Sequence, residues 1–124
     1  MVDGNNVRGA TPDGWWRDRP GAMHRLFDRL RCYRQTIDEP IVLVLDVPQD
    51  DLPEGDHDGV GVLHARRRGR DAADDRILEL LDSLPGERVE VVTSDRGLAN
   101  AAGRPGVEVV GSGAFLARLD GADC

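Results

Sequence analysis

Five consecutive apolar residues, Ile41-Val42-Leu43-Val44-Leu45, constrain this chain more than any other feature. The run is rich in β-branched side chains, so it reads as a strand. It lacks apolar–polar alternation, so both faces of that strand are covered. Such strands belong to parallel sheets packed between two helical layers. Shorter apolar runs follow at Val60-Gly61-Val62-Leu63, Val89-Glu90-Val91-Val92 and Val107-Glu108-Val109-Val110, and Met1-Val2 is the stub of another. Helical spacing fills the intervals. Pro20 opens a helix that carries Met23, Leu26, Phe27, Leu30 and Tyr33. Ile77, Leu78, Leu81 and Leu84 mark a second helix, closed by Pro85-Gly86. Leu98, Ala101 and Ala102 mark a short third, ended by Gly103. Ser112 reads as the N-cap of a fourth, through Phe115, Leu116 and Leu119. The order is roughly βαββαβαβα, which predicts an α/β fold with a mostly parallel central sheet and helices on both faces. Residues 48–59 form the one long polar loop. At 124 residues the chain reads as a single domain.

In an open α/β sheet, functional groups collect beyond the carboxyl ends of the strands. Asp3 follows Met1-Val2, Asp46 follows the 41–45 run, and Asp95 follows Val91-Val92-Thr93-Ser94. A further acid can join them from the start of the 77–84 helix. Placed on a helical wheel, Asp74 lies about 30° from the centre of the apolar face and Asp75 about 130° away. Asp74 therefore points towards the sheet and Asp75 towards solvent, while Asp71 reads as the N-cap. Carboxylates gathered in one crevice repel each other unless a cation sits among them. An all-oxygen ligand set favours Mg²⁺ or Mn²⁺ over zinc. Such an ion suits phosphodiester hydrolysis, because it binds a phosphate oxygen, acidifies water and stabilises the leaving oxygen. The competing explanation is structural: acids at strand ends and helix starts are common caps, and seventeen aspartates leave room for coincidence.

Three motifs carry a family resemblance. Asp3-Gly4-Asn5-Asn6-Val7 is similar to the opening of NYN domains, members of the PIN-like nuclease superfamily. Ala73-Asp74-Asp75-Arg76-Ile77 is similar to their second element, and Val92-Thr93-Ser94-Asp95-Arg96 resembles the third in its YacP-like form. They occur in family order over residues 3–96. The resemblance implies one PIN-like NYN domain over residues 1–124, with a three-layer Rossmann-like fold. It implies a metal-dependent endoribonuclease with Asp3, Asp74 and Asp95 as catalytic and metal-holding acids. Asp46 is a further metal candidate. Asn6 and Ser94 would contact substrate. YacP-like members are linked to RNA cleavage on the ribosome, which makes RNA, including ribosome-bound mRNA, the expected partner. The chain departs from the family in its first strand, where only Met1 and Val2 precede the aspartate.

Substrate of this kind is polyanionic, yet the net charge is −7. RNA must then be held by local basic patches rather than by the field of the whole molecule. All sixteen basic residues are arginine. Arg66, Arg67, Arg68 and Arg70 lead directly into Asp71 and Asp74 and are candidates for bidentate phosphate contacts. Arg8 and Arg96 are further candidates. The alternative for the 66–70 run is a solvated loop paired with nearby acids. Trp15 and Trp16 could stack on bases, or at least one of them could pack over the core near Met23. His24, His57 and His64 have no zinc spacing.

No stretch of about 18 apolar residues exists to span a membrane, and the N-terminus lacks signal-peptide character. Cys32 and Cys124 form neither a disulfide framework nor a zinc motif, and read as separate thiols in a reducing cytoplasm. Two rival functions stay open: a non-catalytic RNA- or ribosome-binding module of the same fold, and a Rossmann-like protein-interaction domain. A haloacid-dehalogenase-like phosphatase is disfavoured, because Asp46-Val47-Pro48 lacks the second aspartate.

Overall fold

The computed structural model describes residues 1–69 and 71–124. Among them, six strands form one sheet and five α-helices cover it. The strands are β1 (Val2–Asp3), β2 (Ile41–Leu45), β3 (Gly55–His57), β4 (Val60–His64), β5 (Val89–Val92) and β6 (Val107–Val110). The helices are α1 (Gly4–Ala10), α2 (Arg19–Arg34), α3 (Ala72–Asp82), α4 (Arg96–Ala102) and α5 (Ser112–Gly121). The sheet order is β3-β4-β2-β1-β5-β6, parallel throughout except for β3.

The period-two geometry of a strand explains the layers. Ile41, Leu43 and Leu45 of β2 face one core with Val7, Met23, Leu26, Phe27, Leu30, Phe115 and Leu119, so α1, α2 and α5 lie on that side. Val44 faces the other, with Ala73, Ile77, Leu81, Leu98 and Ala102 of α3 and α4. The result is a three-layer, Rossmann-like sandwich. No helix among the described residues is long and apolar enough to cross a membrane.

Several boundaries differ from the sequence reading. Residues 4–10, whose sequence shows no apolar period, form α1 straight after Asp3. The polar loop 48–59 contains β3, an antiparallel edge strand on β4. The loop is further pinned by His64, whose Nε2 lies 2.8 Å from the Leu52 carbonyl. Edge pairing needs only one covered face, so no apolar run announces it. The N-cap of α5 is Gly111, not Ser112; the Ser112 hydroxyl donates to Asn6 Oδ1 instead, at 2.6 Å. Neither tryptophan joins either core. Trp15 and Trp16 form a 3₁₀ turn (Trp15–Arg17), and Trp16 is 59% exposed.

Cys32 and Cys124 are not separate thiols. They form a disulfide across 92 residues of sequence, with Cα atoms 5.6 Å apart. The packing of α5 beside α2 brings the ends together, and Arg29 reinforces it by donating to the Cys124 carbonyl at 2.8 Å and to Asp120 at 2.7 Å. Long-range pairing of this kind leaves no trace in cysteine spacing.

Two outcomes follow for stability. Reduction with dithiothreitol, or Cys124→Ser, lowers the unfolding free energy in urea by about 2–4 kcal/mol, as expected for opening a long loop. Gly4→Ala is more damaging than its size suggests. A Cβ there would lie 2.8 Å from the Val44 carbonyl oxygen and 3.0 Å from a Leu43 methyl. Because backbone must move, the expected loss is about 1–3 kcal/mol, and a variant as stable as wild type would refute the close approach of α1 to β2.

Candidate functional site

The chain leaves β1 for β2 and β4 on one side, then returns across the sheet to β5 and β6 on the other. The order therefore reverses between β1 and β5, where open α/β sheets form a crevice beyond the strand ends. Val2 pairs with both Leu43 and Val92, which sets Asp3 level with Val44 and Thr93. Asp46 and Asp95 extend beyond the same edge. The first turn of α3 supplies Asp74.

Each acid is held differently. Asp3 is 5% exposed and accepts a hydrogen bond from the Thr93 hydroxyl at 2.8 Å. Asp95 caps α4, with Oδ1 accepting from the Leu98 amide at 2.9 Å. Asp46 accepts from the Ala73 amide at 2.8 Å and so caps α3 from the neighbouring strand. Asp71 occupies the N-cap position of α3, but its side chain makes no capping bond and its φ is +58°. Its carboxylate is therefore available to the crevice. Asp71, Asp74 and Asp95 each offer an oxygen, and those oxygens lie within 4.8 Å of one another. The tightest group thus includes Asp71, which sequence assigned to capping; Asp3 and Asp46 stand beside it. Only the tertiary path, in which Asp46 takes over the cap, could have revealed this. Asp75 is exposed and paired with Arg67.

This crowding has an electrostatic signature. Burial pushes the Asp74 carboxyl up to about 7, reinforced by Asp3, Asp95, Asp71 and Asp46. Burial also raises Asp3 to about 6, opposed by the Thr93 hydroxyl and assisted by Asp46 and Asp95. The helix starts of α3 and α4, positive ends of their dipoles, face the same crevice and offset part of the repulsion. An all-carboxylate donor set of this spacing fits a hard divalent cation. Asp71, Asp74 and Asp95 are the residues that could hold it.

The remaining candidates divide. The Asn6 amide oxygen accepts from the Ser94 amide at 2.8 Å and from Ser112, and Ser94 Oγ accepts from the Ser112 amide at 2.9 Å. These residues tie β5 and α5 to α1 at the rim of the crevice. Arg66 pairs with Glu79 at 2.8 Å and Arg67 with Asp75, both carboxylates of α3. Arg68 and Arg96 are exposed. Arg70 lies outside the described residues. Arg8 sits near Asp46, with its guanidinium 5.1 Å from the centre of the Trp15 ring.

No family model and no curated protein matches this chain. Solved structures do. The crystal structure of Rae1 (YacP) from Bacillus subtilis matches with a TM-score of 0.78 and 22% identity, over 98% of this chain and 73% of that one. A tryptophan-to-leucine mutant of the same protein matches with a TM-score of 0.79 and 21% identity, over 98% and 74%. The chain has the Rae1 (YacP) fold. Within that fold its acids lie at the strand-order reversal, where the architecture alone predicts a ligand site.

The raised carboxyls set a pH dependence. Between about 4 and about 7 the folded protein keeps protons on Asp3 and Asp74 that the unfolded chain has released. Their contribution to stability therefore falls as pH rises through that window in the ion-free protein. Above it, millimolar Mg²⁺ or Mn²⁺ should raise the Tm by about 8 °C if the site is filled a hundredfold over its Kd. An unmoved melting curve would remove the cation from the site.

Proposed function

We propose that the chain is a divalent-metal-dependent ribonuclease that hydrolyses phosphodiester bonds within RNA. The observation that carries this reading is the convergence of Asp71, Asp74 and Asp95, with oxygens within 4.8 Å, at the strand-order reversal beside Asp3 and Asp46. A structural explanation of the acids as caps accounts for Asp46 and Asp95, which do cap helices, but not for Asp71 or Asp74. Among the described residues, no hydrogen bond anchors those two carboxylates, and burial, reinforced by the surrounding acids, pushes Asp74 towards neutral.

Asp3, Asp74 and Asp95 are the proposed catalytic acids, with Asp46 and Asp71 completing the cation's surroundings. The cation, Mg²⁺ or Mn²⁺, would supply Lewis-acid activation of water and neutralise charge on the phosphate. The protein's part is positioning. Thr93 fixes Asp3, the Leu98 amide fixes Asp95, and the Ala73 amide fixes Asp46, so these carboxylates need not reorganise during the reaction. Water is the nucleophile, and among the described residues no Ser, Cys or His is arranged to form a covalent intermediate. Asn6 and Ser94 hold the rim in shape, and arginines not already paired with acids, Arg8 among them, bind the substrate backbone. Membership of the NYN group, endonucleolytic mode and action on ribosome-bound mRNA are proposed on the motif resemblance at Asp3-Gly4-Asn5-Asn6, Ala73-Asp74-Asp75 and Thr93-Ser94-Asp95-Arg96. The cytoplasm is the matching location. There the Cys32–Cys124 bond would stand reduced, so the fold has to persist without it.

Asp74→Asn keeps size and helix phase while removing one negative charge. It should lower cleavage of single-stranded RNA by at least about 100-fold, the scale expected when a metal site is damaged. RNA binding should remain or tighten, because a charge facing phosphate has gone. A wild-type protein that binds RNA but fails to cut it whichever divalent ion is supplied would establish a binding module instead.

A further inference from the structure

Two tryptophans and three arginines gather at one end of the crevice, and the acid site accounts for none of them. Eight arginines of the described chain lie within 4.0 Å of a carboxylate. Arg8, Arg17 and Arg19 do not, in a protein of net charge −7. They surround the aromatic pair instead. The guanidinium carbons of Arg8 and Arg19 lie 5.1 and 5.7 Å from the centre of the Trp15 ring, and that of Arg17 lies 5.8 Å from that of Trp16. The two indoles meet edge to face at 6.0 Å. Trp16 leaves 59% of its surface exposed, the largest such aromatic area on the molecule among the described residues.

A cavity of about 340 Å³ opens beside this group, lined by Asn5, Arg8, Arg19, Met23 and Val47 among others. It adjoins the acid site: Val47 of its lining follows Asp46, and the Asn5 side chain that also lines it accepts from the Asp46 amide at 3.0 Å. Arg8 reaches into this region with its Nε buried and without a hydrogen-bond acceptor. A buried donor left unpaired costs stability unless an acceptor arrives. Burial and the nearby charge of Arg19 both disfavour the Arg8 cation, while Asp46 favours it. An anion placed between Arg8 and Arg19 would relieve that repulsion and satisfy the donor together.

We propose that this cavity is a nucleotide subsite for single-stranded RNA, in which Arg8 and Arg19 take a backbone phosphate and Trp16 stacks a neighbouring base. The subsite rests on the ribonuclease reading and gives it a direction: a strand crossing the acids continues over Asn5 to the tryptophans. Binding of the strand is thereby assigned to the segment 8–19 rather than to the 66–70 arginines, of which Arg66 and Arg67 are already paired with acids of α3. Single strands suit such a surface, since every base offers a face to an indole and cation–aromatic contacts add to it.

The test uses the full chain and a fluorescein-labelled oligoadenylate, with EDTA present so that nothing is cut. Trp16→Ala and Arg19→Gln alter exposed side chains, and unchanged melting curves will establish that both variants fold. Each should raise the Kd measured by anisotropy at least about tenfold. Arg19→Gln should also flatten the logarithmic salt dependence by about 0.7, one single-strand counterion. Tryptophan emission of the wild type should be quenched on binding, and Trp16→Ala should lose much of that quench. With Mg²⁺ or Mn²⁺ restored, both variants should raise KM for cleavage more than they lower kcat. If the wild type binds the oligonucleotide and the two variants bind it equally well, the subsite is wrong and the ribonuclease reading stands. If the wild type neither binds nor cuts RNA, both fall together.

Discussion

A two-residue strand holds this molecule together. Val2 and Asp3 sit between β2 and β5 in the middle of the sheet, and every parallel neighbour is placed through them. The Met1 carbonyl accepts from the Val92 amide at 2.8 Å, which extends the ladder by one step beyond the strand itself. Such a short strand cannot hold its place by backbone bonds alone. Val2 is buried among the residues of α2 and α5, and Gly4 lets α1 begin against the backbone of β2 without delay. The same compression sets Asp3 at the crevice, because no residue separates strand, acid and helix.

The acids work against the fold that carries them. Bringing five aspartates to one edge raises Asp3 and Asp74 well above ordinary carboxyl values, which disfavours the folded state near neutrality in the absence of a cation. Hydrogen bonds from Thr93, Leu98 and Ala73 offset part of this cost and fix three of the five in place. Asp71 and Asp74 are left without such anchors, which suits groups that must exchange partners. The distribution of arginines follows the same logic. Most are neutralised by carboxylates at the surface, where exposed pairs contribute little stability. Three without a carboxylate partner, Arg8, Arg17 and Arg19, gather around Trp15 and Trp16, so a strongly acidic protein still presents a basic, aromatic surface near its acids.

Much of this was legible in the residues. The unbroken apolar run of Ile41 to Leu45 required helices on both faces, and the wheel position of Asp74 separated it from the exposed Asp75, which pairs with Arg67. Other elements left weaker signals. Residues 4–10 have no apolar stripe beyond Val7, so α1 is held by its position between β1 and α2 rather than by periodicity. β3 is an edge strand with exposed residues, and it exists because β4 offers an unpaired edge. The tryptophans lie outside both cores, where arginines rather than apolar side chains face their rings.

Sequence by itself determined the order of the main strands and helices, α1 and β3 excepted, the doubly covered sheet and the acids at its strand ends, because local periodicity and strand termini are written in adjacent residues. Tertiary structure decided which acids meet. Asp71 was free to enter the crevice only because Asp46, from another strand, bonds the Ala73 amide in its place. It also decided that Cys32 and Cys124 pair, that Asn6 and Ser94 lock together with Ser112 at the rim, and that Arg8 and Arg19 share one cavity. Each of these is a contact between distant segments whose partners compete for the same hydrogen bonds and charges. The outcome of that competition depends on distances across the sheet, which no spacing along the chain encodes.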